Sequence, residues 1–310
     1  MLPPTPALVN ANGLSFEVVT AGDPASDRLA LLLHGFPEHA FSWRHQLPLF
    51  AQLGYRVWAP NQRGYGRTSK PKGAASYRIE TLVADVAALI DASGARHVTL
   101  VGHDWGGLVA WEFAARRARP LERLVILNVP HPMRFREELA RNPAQRRRSL
   151  YAGFFQLPWL PEWFFRRRGA AAIERAFRGM AIDKSRFPDD VLEVYKQNIL
   201  QPGAATAMLN WYRAAGRHFG KLGAQRAEGE RSHDSVLGAK RGEAVPIIET
   251  PTLLIWGEED AALGKETTFG TERYVKDLTI RYLPRVSHWV QQEAPEAVNE
   301  ILAAWLGERT

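Results

Sequence analysis

The sequence of 310 residues contains no cysteine. This absence excludes disulfide bonds, thiol nucleophiles and thiolate metal sites. No apolar run approaches the roughly 18 residues that cross a bilayer, because the richest run, residues 29–33, ends at His34. Residues 1–12 lack both the basic residues and the apolar stretch of a signal peptide. We therefore expect neither export nor a membrane partner, and a cytoplasmic location is compatible with the sequence.

Charge is more abundant, and it is unevenly distributed. Hydrophobic residues make up 45% and charged residues 24% of the chain, which is typical of a globular protein. The net charge is +7, and the excess of basic residues lies between residues 132 and 244, where arginine triplets occupy 146–148 and 166–168. Such triplets are usually solvated helix faces, and no nucleic-acid motif accompanies them. We expect no nucleic-acid partner, although a basic nucleic-acid binder remains an alternative.

Short apolar runs alternate with helical patterns, which predicts βαβ units and a mostly parallel sheet. Helices are predicted at 79–91, 107–117 and 295–306. The strand pattern stops after Leu127 and resumes at Thr252, so the helical segment between them reads as an insertion over the sheet. We predict a core of residues 1–131 and 245–310 and an inserted helical lid of residues 132–244, with a polar return loop at 217–243. Strands are predicted at 14–19, 29–33, 56–59, 97–101, 121–127, 252–256 and 279–283.

The run from His97 to Gly107 combines a strand, a tight glycine-rich turn and the start of a helix. This arrangement is typical of a nucleophile elbow, in which a reactive side chain is held on a strained turn. Asp104 takes the central position, and a carboxylate there can attack an alkyl carbon without prior deprotonation. The alternative is that Asp104 only caps the helix N-terminus.

Two later segments favour the catalytic interpretation. Asp260 follows the strand at 252–256, and His288 follows the strand at 279–283. The order nucleophile, acid, histidine is that of α/β-hydrolases. Taken singly, the acidic loop and the histidine are more often structural. In the same fold, backbone amides after the first buried strand and after the nucleophile hold an oxyanion, which predicts Phe36 and Trp105 as the donors.

Together these motifs resemble the α/β-hydrolase epoxide hydrolases, which are related to the haloalkane dehalogenases. The resemblance covers nearly the whole chain and rests on HGFPE at 34–38, GYG at 64–66, GHDWGG at 102–107, NVPHP at 128–132, the loop at 256–260 and SHW at 287–289. It implies that Asp104 opens an epoxide to form an ester. It also implies that His288, oriented by Asp260, activates the water that hydrolyses this ester.

The resemblance further implies two lid tyrosines that donate protons to the epoxide oxygen. Tyr151 and Tyr212 lie in matching contexts, and their phenols suit a departing alkoxide. A packed aromatic role is the alternative for each of them. The abundance of aromatic residues predicts a small apolar epoxide as the substrate, with water as the second reactant. The predicted pocket comprises Phe36, Pro37, Trp105, Phe155, Gln156 and Trp211.

The sequence departs from relatives at Asn61, where aspartate is usual. HGFP replaces the HGNP of haloalkane dehalogenases, which argues against that sister activity but leaves it as the main alternative. A non-catalytic binding protein with the same fold is a further alternative. No zinc, phosphate-loop or dinucleotide motif is present, so we predict no metal and no cofactor. A homodimer is compatible with the sequence, and pocket shape decides which epoxide is used.

Overall fold

The computed structural model describes residues 5–224 and 245–307. Within these ranges one sheet contains eight strands, in the spatial order β1-β2-β4-β3-β5-β6-β7-β8. The strands are β1 (Thr5–Ala11), β2 (Leu14–Ala21), β3 (Arg28–Leu33), β4 (Arg56–Pro60), β5 (His97–His103), β6 (Arg123–Leu127), β7 (Thr252–Gly257) and β8 (Leu278–Leu283). β1 and β2 pair antiparallel with their neighbours. All pairs from β4 to β8 are parallel.

Helices cover both faces of the sheet. Those of the described chain are α1 (Leu47–Gln52), α2 (Ile79–Ser93), α3 (Trp105–Ala115), α4 (Pro132–Arg141), α5 (Pro143–Arg148), α6 (Leu150–Phe154), α7 (Leu160–Met180), α8 (Asp189–Leu200), α9 (Ala204–Ala224), α10 (Val290–Glu293) and α11 (Pro295–Gly307). α4 to α9 all fall between β6 and β7 in the chain. None of these helices combines the length and the hydropathy that a bilayer crossing requires.

The central strands are buried because they carry apolar side chains on both faces of the sheet. In β3, Leu31 and Leu33 belong to one buried cluster, and Ala30 and Leu32 belong to another on the opposite face. Successive side chains of a strand point to opposite faces, so an unbroken apolar run requires cover on both sides. The prediction of a mostly parallel sheet flanked by helices is confirmed.

Seven predicted strands and the three predicted helices are present, with ends that differ by up to two residues. β1 was not predicted. It lies at the edge of the sheet, most of its side chains are exposed, and it contains Pro6, so it lacks the apolar signal of a buried strand. The prediction of a loop at 217–243 is wrong for residues 217–224, because α9 continues to Ala224. The rest of that loop lies outside the described residues.

Candidate active site

The predicted site residues meet at one edge of the sheet. Asp104 lies between β5 and α3, Asp260 follows β7, and His288 follows β8. Asn128 follows β6 next to them. Because these strands are parallel, their carboxyl ends lie side by side, which is where open α/β sheets place their ligand sites. These four residues, far apart in the chain, thereby lie next to one another.

Asp104 has a backbone conformation that aspartate rarely adopts. Its φ is 48° and its ψ is −121°, and the left-handed region carries a steric cost for a residue with a Cβ. Neighbouring glycines make the turn possible: a Cβ on Gly102 would lie 2.6 Å from the carbonyl oxygen of Gly106. A Cβ on Gly35 would lie 2.5 Å from the Cβ of Asp104. The strained turn therefore presents the carboxylate against a bare stretch of backbone.

Two backbone amides hold one side of this carboxylate. The Phe36 N–H donates to Asp104 Oδ1 over 2.8 Å, and the Trp105 amide acts with it to lower the pKa of Asp104 against the effect of burial. The Phe36–Pro37 peptide bond is cis. Phe36 and Trp105 are the two amides that the sequence predicts as oxyanion donors, and the Phe36 amide already contacts a carboxylate oxygen on which charge would develop in ester hydrolysis.

His288 lies between the two carboxylates. Its Nδ1 is 2.7 Å from Asp260 Oδ2, while its Nε2 is 3.7 Å from Asp104 Oδ2. The first distance is a short hydrogen bond and the second is too long for one. The imidazole is thus fixed by Asp260 with its other nitrogen directed at Asp104, across a gap too wide for direct contact.

The protonation of the three groups follows from their burial and mutual charge. Burial opposes charge on His288, but the Asp260 carboxylate, together with Asp104, raises the pKa of His288 to about 9. Burial raises the pKa of Asp104, against the attraction of His288 and the two amides. Burial also acts on Asp260, yet His288 and hydrogen bonds hold the pKa of Asp260 below its usual value. The free site is therefore an imidazolium between two carboxyl groups.

Asn128 positions Asp260, a role that the sequence did not assign. The Asn128 Nδ2 donates to Asp260 Oδ2 over 2.9 Å, and Asn128 Oδ1 accepts from the Gly257 N–H. The amides of Ala262 and Leu263 donate to the other Asp260 oxygen. Asn128 has a left-handed φ of 41°, which asparagine tolerates better than most residues. The sequence contains the NVPHP motif, but the role of its asparagine depends on a contact with Asp260, which is far away in the chain.

A second buried pair, Glu38 and His103, lies behind the site. His103 Nδ1 is 2.6 Å from Glu38 Oε2, and His103 Nε2 is 2.9 Å from the carbonyl oxygen of His288. Each ring nitrogen of His103 therefore faces an oxygen that can accept a hydrogen bond. The Gly35 N–H and the side-chain amides of Gln291 and Gln292 also donate to Glu38. This buried pair therefore connects the turn at residue 35 with the backbone of His288.

Tyr151 and Tyr212 reach the same carboxylate from the helical side. Their ring centroids are 6.1 Å apart, and the Tyr212 hydroxyl lies within hydrogen-bonding reach of Tyr151. Burial is the main cause that raises the pKa of both phenols above 10. The charge of Asp104 adds to this effect for Tyr151, and the nearby Tyr151 adds to it for Tyr212. Both tyrosines therefore stay neutral at physiological pH and keep a proton to donate.

Arg213 joins the helices that carry the two tyrosines. Its guanidinium pairs with Glu162 at 2.6 Å and donates to the carbonyl oxygens of Phe155 and Leu157. Gln156 donates to the carbonyl oxygen of Tyr212 over 3.0 Å. α9, with Tyr212, is thereby tied to the segment that follows Tyr151.

A cavity of about 180 Å³ lies between Asp104 and the two tyrosines. Trp105 and Gln156 line it, as predicted. Phe36 and Phe155 do not line it but pack against the ring of Tyr212 at 5.2 and 4.9 Å. Trp211 does not line the cavity either, and its N–H donates to the Arg63 carbonyl oxygen. Trp211 and Tyr212 are adjacent in α9, and adjacent residues of a helix point in different directions. Pro37 also lies outside the lining, which instead includes Leu108, Val129, Phe135, Ser149 and Leu263.

Metal binding finds no support in this arrangement. Across residues 5–224 and 245–307, no group of three or more His, Asp or Glu side chains could hold a metal ion. The carboxylates of the site are instead satisfied by His288, Asn128 and backbone amides.

The strained elbow and the acid–histidine pair on a mostly parallel sheet define an α/β-hydrolase. Residues 31–268 match the family model described as alpha/beta hydrolase fold. Among curated relatives, Epoxide hydrolase 4 of Mus musculus is 37% identical over 97% of this chain and 79% of its own length. The AB hydrolase superfamily protein YfhM of Bacillus subtilis is 36% identical over 96% of each chain.

Solved structures agree with these relatives. An epoxide hydrolase variant from Bacillus megaterium, complexed with its product, a naphthyloxy-propane-1,2-diol, superposes with a TM-score of 0.80. It is 30% identical and covers 97% of this chain and 100% of its own. The chain belongs to the epoxide hydrolase family of the α/β-hydrolases.

Proposed function

We propose that this protein hydrolyses epoxides to vicinal diols through an ester formed on Asp104. The observation that carries the proposal is the position of two neutral phenols opposite a buried carboxylate. Tyr151 and Tyr212 can donate protons to an oxygen that leaves a carbon under attack by Asp104. An alkoxide needs such an acid, whereas a halide leaves without one.

In the first step Asp104 Oδ2 attacks an oxirane carbon. The carbon–oxygen bond of the ring breaks, and the oxygen takes a proton from Tyr151 or Tyr212. The Phe36 amide holds the other carboxylate oxygen, which directs Oδ2 towards the substrate. The product of this step is a hydroxyalkyl ester of Asp104.

The same step prepares His288 to act as a base. The negative charge of Asp104 contributes to the raised pKa of His288, and the ester is uncharged. Ester formation therefore lowers the pKa of His288 and favours its neutral form, because a nearby opposite charge has been removed. The imidazolium then gives its proton to the tyrosine phenolate, which restores the phenol, or to solvent, so the base becomes available only after the first step.

In the second step neutral His288 removes a proton from a water molecule in the gap beside Asp104. The water oxygen attacks Cγ of the ester, and the Phe36 and Trp105 amides stabilise the resulting oxyanion. The bond between Cγ and the ester oxygen then breaks, and the departing alkoxide takes the proton from His288. The diol leaves with an oxygen from Asp104, and the water oxygen stays in the carboxylate.

We also propose that residues 132–244 form a lid domain over a core of residues 1–131 and 245–310. Tyr151 on α6 and Tyr212 on α9 supply the helical wall of the cavity, which supports this division. The apolar lining favours an apolar epoxide. An aryl glycidyl ether is a reasonable probe, because the Bacillus megaterium relative was solved with a naphthyloxy-propane-1,2-diol.

The first test is to incubate the protein and its Asp104→Ala variant with styrene oxide and with a 1-haloalkane. Diol formed by the parent protein alone would support both the reaction and the nucleophile. Halide release would instead support a haloalkane dehalogenase. Turnover of styrene oxide by Asp104→Ala would refute the ester mechanism.

A single turnover in ¹⁸O-labelled water tests the same mechanism by atom balance. We expect the label in the peptide that contains Asp104 and an unlabelled diol. Direct attack of water on the epoxide predicts the reverse.

A further inference from the structure

The outer side of α7 carries an apolar and basic surface that the proposed reaction does not use. Trp159, Trp163 and Leu157 are exposed to 73%, 55% and 44%. The Trp163 N–H donates to the carbonyl oxygen of Trp159, so the two tryptophans are joined by a backbone hydrogen bond at the start of α7. We call Leu157, Trp159, Trp163 and the arginines at 166–168 the α7 face.

The arginines follow the indoles along the chain. Arg166 lies three residues after Trp163, about one turn further along α7, and the helical conformation is interrupted from Arg167 to Ala170. The Arg167 guanidinium lies 4.7 Å from the centre of the Trp163 ring. Arg166 and Arg168 are exposed.

Nearby carboxylates have other partners. Glu162 pairs with Arg213, and Glu174 pairs with Arg178. The positive charge of the α7 face is therefore not neutralised by these two side chains. The face combines exposed indoles with basic groups, which together favour an anionic surface of mixed polarity.

The backbone at Trp159 adds a second observation. Its φ is 48°, a left-handed value that bulky side chains rarely adopt. A strained residue is normally compensated by packing, yet this indole remains mostly exposed. Uncompensated strain of this kind is often associated with a functional surface.

We propose that the α7 face docks on an anionic lipid surface. Indole rings locate at the level of lipid headgroups, and arginines are attracted to anionic lipids. A second copy of the chain fits less well, because a two-fold interface would bring the arginines towards their own copies. The sequence predicts no membrane partner because it contains no spanning segment, but peripheral docking requires none. The docking does not depend on the epoxide reaction.

Docking in this position would bring the cavity close to the lipid. Gln156 lines the cavity, is exposed and directly precedes Leu157. An apolar solute dissolved in the membrane would thus have a short path to the cavity.

Sedimentation with lipid vesicles tests the proposal on the full-length protein. We expect binding to phosphatidylcholine vesicles that contain phosphatidylglycerol, weaker binding at high salt, and little binding to phosphatidylcholine alone. Arg166→Gln with Arg168→Gln should weaken binding by about fivefold for each arginine. Trp159→Ala with Trp163→Ala should weaken it by at least about tenfold.

Phe269→Ala is the matched control, because Phe269 is 55% exposed on a 3₁₀ segment outside α7. It should bind vesicles like the parent protein. Equal binding to neutral and anionic vesicles, or an equal loss in the control, would overturn the proposal. The proposal would also be overturned if the protein did not bind vesicles and analytical ultracentrifugation detected a dimer that the tryptophan variants abolish.

Discussion

The two walls of the cavity are held in place by different kinds of contact. On the sheet wall, backbone amides and Asn128 donate to Asp104 and Asp260, and Asp260 in turn holds His288. On the helical wall, the side chain of Tyr212 is surrounded by aromatic rings, including that of Trp105 at 4.9 Å. Hydrogen bonds are directional, whereas apolar packing tolerates small shifts. We therefore expect the charged groups to keep one arrangement and the phenols to tolerate small shifts.

The largest expected effect is on the sheet wall. His288→Gln removes the base, so turnover should fall by at least about 10³-fold while the ester on Asp104 accumulates. Intact-protein mass spectrometry should detect one added substrate per chain. His97→Gln is the control, because His97 lies exposed at the start of β5 and should turn over like the parent protein. Rapid turnover by His288→Gln would place the base elsewhere.

The second prediction concerns the buried Glu38–His103 pair behind the sheet wall. Glu38→Gln places an NH2 group among buried groups that donate to the Glu38 carboxylate, so at least one of them loses its acceptor and the free energy of unfolding should fall by about 3 kcal/mol. Chemical denaturation measures this change. Glu296→Gln is the comparison, because its pair with Arg186 is largely exposed and should contribute little. Equal effects of the two variants would contradict the stabilising role of the buried pair.

The helical wall should respond in a graded way. Tyr151→Phe and Tyr212→Phe should each slow ester formation by about 10- to 100-fold, because one phenol can partly replace the other as the acid. Single-turnover experiments separate ester formation from ester hydrolysis. Hydrolysis should stay close to the parent rate in both variants. If hydrolysis slows instead, the phenols do not act on the departing oxygen.

The smallest expected effect is a change in the pKa of His288. The pKa of His288 is raised to about 9, partly by Asp104. Asp104→Asn removes that charge as the ester does, so the pKa of His288 should fall, which NMR of the imidazole can measure. A base acts in its neutral form, so ester hydrolysis should rise with pH and level off below pH 9. An unchanged pKa in Asp104→Asn would show that the ester does not activate His288.

Much of the core and of its reactive residues could be predicted from the sequence. Buried strands such as β3 and β7 stand out because uninterrupted apolar runs are short and bounded by turns. The order of Asp104, Asp260 and His288 along the chain indicates a single site even though each residue alone is ambiguous. Their place at one sheet edge follows from the parallel topology.

The supporting residues could not be predicted, for a physical reason. Glu38, His103 and Asn128 act through contacts between segments far apart in the chain, such as that between Glu38 and Gln292. A sequence pattern reports local periodicity, not distances across the fold. Of the predicted pocket residues, Trp105 and Gln156 line the cavity but Trp211 does not, because the adjacent residues Trp211 and Tyr212 point in different directions from α9.

The bare backbone at Gly35 has a consequence for altering substrate range. Any side chain at this position would collide with Asp104, since even its Cβ would lie 2.5 Å from the Asp104 Cβ. A saturation library that includes residue 35 would therefore consist almost entirely of inactive clones. The side chains of Phe135, Ser149 and Leu263 line the cavity, and none of these side chains contacts the charged groups, although the Leu263 amide donates to Asp260. Randomisation at these three positions should yield the larger share of active enzymes with new selectivity.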